Sequence, residues 1–530
     1  MALALAGLAL IALRVLYLRS YPFNSDEPQH LHVAWAWTQG LLPYRDVFDN
    51  HGPLFGLLHA PWLWLVGTRA DALMWMRLPM LAWYLLALAA TWHLARVLYG
   101  EGVARAATLL AALYPSFFLV SGQFRTDDLW MALWLAALAV ALGGPVRAWR
   151  SFVAGVLAGA ALAVSQKTLL LLGCATVAAA VAWIARPRLD LATLVRHAAL
   201  GVAGLLAIPL AFAAWFAAHG AWHAAVYCLV LHNMLPGLGH WHHEAWRLAA
   251  FPPLALVAAA VAWRTARARD HAASRRAALW LLVALYVLSI YTWWPLITRQ
   301  DLLPALPPLI LILVGYAAAW LRPASPAVPA ILAGVMAALE LALLFACSPP
   351  WRDRLAAHDR EVALVLNLTG PDDYVMDPKG DSIFRRRPYY YALETITERR
   401  LARGLLPDTI AGDLVRTRTM VVVDCRLPPR SRAFVERNYL PVSGDVRVAG
   451  LRLAPGASHR FVLAVPGVYA AVDAQGMVAA AVDGGATSRR WALAAGTHTL
   501  TTPARGALAI VWAPALDRGL RPEAAWWSKP

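Results

Sequence analysis

Residues 3–18, LALAGLALIALRVLYL, run directly into residues 19–30, RSYPFNSDEPQH. An apolar run of this length leaves water readily, whereas the polar stretch behind it does not follow, so the pair reads as a membrane helix ending at a wet, charged rim. The run lacks the small-residue cleavage site and polar exit of a secretory signal and is expected to persist as a signal-anchor helix. Asp26 and Glu27 lie in the polar stretch. Carboxylates at the mouth of a membrane protein cost desolvation energy unless wet or paired, which makes these two functional candidates.

The remainder of the chain repeats the alternation. Of its 530 residues 60% are hydrophobic and 15% charged, and the mean hydropathy is +0.53, a balance expected of a polytopic membrane protein. The formal charge of +16 comes mainly from Arg between the apolar runs and along the last third, so it reports topology rather than nucleic-acid binding. Cys174, Cys228, Cys347 and Cys425 show no CxxC or metal-type spacing, and neither a disulfide framework nor a zinc site is indicated. Trp62, Trp64, Trp241, Trp246, Trp293 and Trp294 stand near the ends of apolar runs, where amphipathic rings favour the membrane interface.

Hydropathy predicts about eleven spans, with cores at 3–18, 78–94, 103–120, 129–142, 152–164, 169–184, 198–218, 248–263, 279–294, 302–321 and 328–347. Alternate connections carry Arg96 and Arg105; Arg147 and Arg150; Arg186, Arg188 and Arg196; Arg264, Arg267, Arg269, Arg275 and Arg276; then Arg322. The positive-inside rule makes these cytoplasmic. The outer set is then 19–77, 121–128, 165–167, 219–247, 297–301 and everything after Cys347, and every polar residue of chemical interest falls in it. Within 19–77, residues 28–40 and 53–66 are predicted to form two short interfacial helices, each opened by a Pro. The expected organisation is a transmembrane catalytic domain over 1–347, a soluble α/β domain over 348–439 and a small β-sandwich over 440–530, in a multi-pass protein of the inner (plasma) membrane with its C-terminal region outside. Helices at 354–368 and 431–439 and strands at 374–377, 419–424, 460–465, 477–482, 491–494 and 507–512 carry that expectation.

Several residues are equipped for chemistry. Asp26 and Glu27 can cap the helix beginning at Pro28, and capping leaves Asp26 able to serve as a general base on an acceptor hydroxyl. Asp127 and Asp128, opening the span at 129, can also cap; the sharper reading has them orient hydroxyls, in preference to holding a divalent cation. Lys167 and Arg299 can be interfacial anchors, or together can neutralise a phosphate. Tyr44 and His51 lie in a connection, 41–52, that can fold over a site beneath it. The loop 219–247 gathers His219, His223, His232, His240, His242, His243 and Glu244 with Trp222, Trp241 and Trp246; its spacing fits aromatic stacking on a sugar better than zinc. No Walker, Rossmann or nucleophile-elbow motif is present, so no nucleotide and no other cofactor is expected.

In these features the chain resembles the GT-C superfamily of integral-membrane glycosyltransferases, particularly bacterial relatives of protein O-mannosyltransferases and of the lipid A aminoarabinose transferase. The motifs are Asp26-Glu27 after the first span, His51-Gly52-Pro53-Leu54, Thr126-Asp127-Asp128, and Thr298-Arg299-Gln300-Asp301 leading into Leu302-Leu303-Pro304-Ala305-Leu306-Pro307-Pro308, over about residues 1–347. The resemblance implies a polyprenyl-phosphate-linked sugar as donor, transfer on the outer face and a base at Asp26-Glu27; the acceptor can be a lipid, glycan or protein, and a direct displacement driven by such a base is expected to invert the anomeric centre. Where the aminoarabinose transferases commonly carry Lys-Pro-Pro-Leu, this chain has His51-Gly52-Pro53-Leu54, which moves the expected phosphate contact toward Lys167 and Arg299. A flippase for a lipid-linked sugar is the alternative, but it predicts charges at the bilayer midplane and an internal repeat. A non-catalytic scaffold would leave the two acidic clusters without a purpose.

Overall fold

The computed structural model describes residues 2–187, 189–238, 245–268, 270, 272–321, 328–503 and 506–527. Arg188, His240, Trp241, His242, His243, Glu244, Arg269 and Arg322 lie outside the described residues. The chain divides into two compact units: Met1–Glu27, Asn50–Trp62 and Met74–Arg354 form the first, and Pro28–Asp49, Leu63–Leu73 and Leu355–Pro530 the second.

Every apolar run is helical. In order, the helices are α1 (Ala2–Leu16), α2 (Asp26–Thr38), α3 (Leu54–Val66), α4 (Ala72–Met76), α5 (Met80–Tyr99), α6 (Glu101–Leu113), α7 (Pro115–Val120), α8 (Thr126–Leu142), α9 (Ala148–Leu162), α10 (Thr168–Ala185), α11 (Leu191–Ala218), α12 (Trp222–Val226), α13 (Ala245–Ala266), α14 (Ala273–Thr292), α15 (Leu306–Leu321) and α16 (Val328–Cys347). Among the described residues six helical stretches are long and apolar enough to cross a membrane: Ala72–Tyr99, Thr168–Ala185, Leu191–Ala218, Trp246–Ala266, Ala273–Thr292 and Val328–Cys347. The expected count of eleven is not reached by that measure. At about 1.5 Å per residue, helices such as α1, α9 and α15 are shorter than roughly 30 Å of hydrocarbon. The run 103–120 is divided for a local reason. Tyr114, forced toward extended geometry by Pro115, has ψ 115° and separates α6 from α7.

Small residues let backbones meet in this unit. Gly155 and Gly159 form a GxxxG face on α9 opposite α11: a Cβ on Gly155 would lie 2.1 Å from the Gly201 carbonyl oxygen, and one on Gly159 would lie 2.3 Å from that of Leu205. Gly52 seats the outer segment in the same way. Its N–H donates to Val164 O (3.1 Å), and a Cβ there would meet Ala163 O at 2.1 Å.

The second unit continues with α17 (Ala356–Leu368), α18 (Thr395–Ala402), α19 (Ile410–Arg416), α20 (Pro429–Asn438) and α21 (Ala513–Asp517). Its strands are β1 (Val375–Met376), β2 (Val421–Val423), β3 (Tyr439–Ser443), β4 (Val446–Leu453), β5 (Ser458–Leu463), β6 (Gly467–Asp473), β7 (Gly476–Val478), β8 (Ala481–Val482), β9 (Trp491–Leu493), β10 (Gly496–Thr501) and β11 (Leu508–Trp512). The larger sheet has the order β1-β2-β4-β11-β6-β7, with β3 on β4 and β9 on β6; β5-β10-β8 form the smaller. This differs from a division at residue 440. β2 pairs antiparallel with β4 in the register Val421↔Val448, and β4 pairs with β11 (Leu453↔Leu508), so one sheet crosses the expected boundary. Val422, Val448, Ile510, Phe461 and Leu500 bury into one core shared by both sheets.

Candidate functional site

The polar residues of the first unit assemble around the segment Asn24–Glu27. Asn24 precedes α2 and accepts from the Asp26 N–H (3.0 Å) through its side-chain oxygen, fixing the turn that presents both acids. Glu27 is wholly buried. Its carboxylate takes a two-pronged ion pair from Arg77 (Nε to Oε1 2.8 Å, Nη2 to Oε2 2.7 Å). It also accepts the backbone N–H of Phe124 (2.8 Å) and of Asn24 (3.0 Å). With both oxygens saturated, Glu27 ties the segment after α1, the junction of α4 and α5 and the turn before α8 to one another.

Asp26 faces a different cation. Its Oδ2 lies 2.5 Å from Arg125 Nη1, and Arg125 in turn reaches Asn24 Oδ1 (2.6 Å) and Asp127 Oδ2 (3.1 Å). Asp127 Oδ1 receives Lys167 Nζ at 3.1 Å, and the same ammonium lies 2.6 Å from Asp301 Oδ1. Asp301 Oδ2 caps its own turn by accepting from the Thr298 N–H (2.7 Å) and hydroxyl (3.0 Å). An unbroken chain of charge therefore runs Asp26, Arg125, Asp127, Lys167, Asp301. Lys167 also lies 5.5 Å from the centre of the Trp130 ring.

Burial and pairing oppose one another here. Burial alone would raise the Asp127 carboxyl, but Lys167 and Arg125 outweigh it and hold it well below the usual carboxylate range. For Arg125, burial works against the charge and Asp26 with Asp127 overcomes it; for Lys167, Asp127 and Asp301 do the same, so both cations stay charged. Asp128 is the contrast. It precedes the apolar part of α8 and is 1% exposed, and neither carboxyl oxygen has a hydrogen-bond partner among the described residues. Burial pushes its carboxyl far above the usual range despite the pull of Arg14.

Asp26, Asp127 and Lys167 thus come together, Glu27 abuts them through Asn24 and Phe124, and Asp128 sits buried beside Asp127 outside the ion-pair chain. His51 is close enough to Asp127 to act on it electrostatically. Its neighbour Asn50 accepts from Asn233 Nδ2 (3.1 Å), which ties this segment to the loop after α12. Arg299 stands two residues before Asp301 with an exposed side chain and without a hydrogen bond or ion pair among the described residues. Tyr44 is not in this cluster: it belongs to the second unit, is 1% exposed, and has a left-handed φ of 69°. Of the loop histidines, His219 is spent on the Trp215 carbonyl (2.7 Å) and His232 is buried. Every oxygen of Asp127 is already engaged by a cation, so a divalent ion there would compete with Lys167 and Arg125.

Four partners escaped the sequence reading as site residues: Arg14, Arg77, Arg125 and Asp301. Arg14 had a signal, being an arginine inside an apolar run. It is 3% exposed, donates to Phe118 O (2.6 Å) and Ser121 O (2.6 Å), and lies 4.0 Å from the centre of the Tyr84 ring. Arg77 had none, since any arginine of the outer segments looks the same in sequence, and Arg125 had only its place at the head of the cluster Arg125-Thr126-Asp127-Asp128.

The sequence matches no protein-family model and no curated protein. Among solved structures the chain is similar to ArnT from Cupriavidus metallidurans in the apo state, with a TM-score of 0.57 at 13% identity over 84% of this chain and 98% of that one. It is likewise similar to ArnT from Cupriavidus metallidurans bound to undecaprenyl phosphate, with a TM-score of 0.55 at 11% identity over 84% of this chain and 97% of that one. The likeness to these two structures is one of fold.

Proposed function

We propose that this protein is a membrane glycosyltransferase that moves a sugar from a polyprenyl-phosphate donor to an acceptor hydroxyl at the outer face of the plasma membrane. The observation that carries the reading is the unbroken ion-pair chain from Asp26 to Asp301 in a protein with the fold of ArnT, one structure of which holds undecaprenyl phosphate. Of the carboxylates in that chain and beside it, Asp26 is the accessible one: its side chain is 27% exposed, against 0% for Glu27, 4% for Asp127 and 0% for Asp301. An acceptor can reach it.

In the proposed reaction the acceptor oxygen attacks the anomeric carbon, its proton passes to Asp26, and the bond from that carbon to the phosphate oxygen breaks. The carrier leaves as polyprenyl phosphate, one negative charge richer. Lys167 has three N–H donors and two carboxylate partners, which leaves one donor for the departing phosphate. Arg299, exposed two residues from Asp301, supplies a second cation with the planar fork that suits phosphate. Asp127 and Glu27 hold this geometry through Lys167, Arg125 and Arg77. A single displacement of this kind inverts the anomeric centre. The carrier's tail stays in the bilayer, because exposing it costs about 0.8 kcal/mol per CH₂.

The test is transfer from a synthetic polyprenyl-phosphate sugar by the purified protein and by Asp26→Asn with folding verified. A general base contributes about 10²–10⁴-fold. The variant is expected to lose at least a hundredfold in kcat with the donor still bound, and full activity in it would remove Asp26 from the role.

A further inference from the structure

The first compact unit also holds an apolar groove. It measures about 560 Å³ and is lined by α6, α15 and α16, all within Met74–Arg354. We propose that this groove seats an acyl chain of an anionic phospholipid, whose phosphate lies against the guanidinium of Arg105.

Three helices each turn one stripe toward the space. Ala106 and Leu110 are four residues apart on α6, Val314 and Ala318 four apart on α15, and Ala333 and Met336 three apart on α16, spacings that share a helix face. The small residue of each pair leaves the hollow and the larger one walls it. From Val103 to Leu110 the lining of α6 rises about 10 Å at 1.5 Å per residue, a path that an extended hydrocarbon chain can follow. The adjoining surface is apolar as well, with Leu109, Leu313 and Leu332 all exposed. An apolar hollow among membrane helices excludes water and admits hydrocarbon. Its volume lies within the range of small-molecule sites, about 300–1,000 Å³.

The charge of the occupant is set at one end. Tyr99 and Glu101 line the groove where α5 turns into α6. Arg105 donates its Nε to Glu101 Oε1 (3.1 Å), and its two Nη groups have no hydrogen-bond partner among the described residues. Arg276 lies 4.6 Å from the centre of the Tyr99 ring, but its donors are committed to the Leu98 carbonyl (Nε, 2.7 Å) and to Asp270 (Nη1, 2.5 Å). Arg96, whose carbonyl accepts the Gly100 N–H (3.0 Å), is exposed. Three guanidiniums therefore stand with two carboxylates, and the surplus is positive. Arg105 holds the unspent donors, in the planar fork that matches a phosphate. The alternation of Arg predicts that this turn faces the cytoplasm, where the leaflet is anionic and basic pockets between helices hold phospholipid head groups.

The binding does not depend on the transfer reaction. The experiment is native mass spectrometry of the full-length protein released from detergent after titration with phosphatidylglycerol, with phosphatidylcholine of the same chains, or with glycerol 3-phosphate. The first phosphatidylglycerol is expected to bind at least tenfold more tightly than the first phosphatidylcholine, and glycerol 3-phosphate, which has the charge and no chain, at least a hundredfold more weakly. Arg105→Gln should erase the margin between the two lipids. Ala106→Phe on α6 or Ala333→Phe on α16 should weaken both lipids at least tenfold, with the unfolding temperature of each variant confirming that it is folded. Equal binding of the two lipids, glycerol 3-phosphate binding as tightly as the lipid, a margin unchanged in Arg105→Gln, or lipid binding unchanged in the folded Phe variants would each overturn the proposal. So would a dimer that excludes the lipid, or the absence of any lipid adduct. Should neither Phe variant fold, the margin in Arg105→Gln decides, because that side chain is 60% exposed and its loss leaves the packing in place.

Discussion

Glu27 and Asp26 are adjacent in sequence and opposite in circumstance. Glu27 gives both oxygens to Arg77 and two backbone N–H groups inside a fully buried pocket, whereas Asp26 keeps an accessible edge. Removing one member of a buried pair strands the other charge, at about 3–5 kcal/mol. Glu27→Gln is therefore expected to lower thermal stability by that order, measured by unfolding in detergent, while Asp26→Asn lowers turnover with little loss of stability. An equal loss of stability in both variants would contradict the division. Asp128 has no donor to satisfy a charged carboxylate, so it is held as the neutral acid, and an amide of the same shape replaces it at little cost. Asp128→Asn should change unfolding free energy by less than about 1 kcal/mol. Asp127→Asn, which under-compensates Lys167 and Arg125, should cost several-fold more.

Elements set these residues by closing on one another. The turn before α8 is pressed against Tyr21, in the segment after α1, because Gly122 leaves no room for more: a Cβ there would lie 2.3 Å from the Tyr21 ring. In the second unit, α17 brings Glu361 against Asp377, Asp381 and Asp445, and burial together with these acids raises Glu361 to about 8. Asp381 is also raised, by burial first and then by Asp377. A carboxyl whose folded pKa exceeds its unfolded value binds more protons in the folded state. The stability it contributes is complete below the unfolded value, about 4.3 for Glu, and disappears as pH rises through the folded one. The unit should consequently be more stable at pH 5.5 than at pH 8.5, and Glu361→Gln should flatten that slope in a pH series of thermal scans. A steeper slope in the variant would show that the cluster is not its source.

At the scale of the molecule, the alternation of Arg along the connections predicts which side of the membrane each connection faces. Cysteines introduced singly at Arg360 and Arg196, both exposed, in a background without Cys174, Cys228, Cys347 and Cys425, report it directly. With an impermeant maleimide on intact cells, Arg360→Cys should label and Arg196→Cys should not. The reversed pattern would put the proposed reaction on the wrong face.

Burial and period were readable from composition and spacing alone, because lipid admits only backbone that satisfies its own hydrogen bonds and so each apolar run had to be a helix. The acids of 24–30 marked a rim for an equally local reason, whereas the break at Pro115 falls inside the expected span 103–120. The partners of those acids were not local. Arg77 is 50 residues from Glu27 and Lys167 is 40 from Asp127, and any exposed arginine or lysine in the outer segments has the same appearance before folding. The same limit hid the joint at β4, whose strand character is diluted by Gly450 and whose neighbours β2 and β11 come from either side of residue 440. Which helices exist, and which residues carry charge at the rim, follow from transfer energies the chain holds residue by residue; which opposite charges meet is decided by packing, since ion pairing depends on distance in space and the sequence records only distance along the chain.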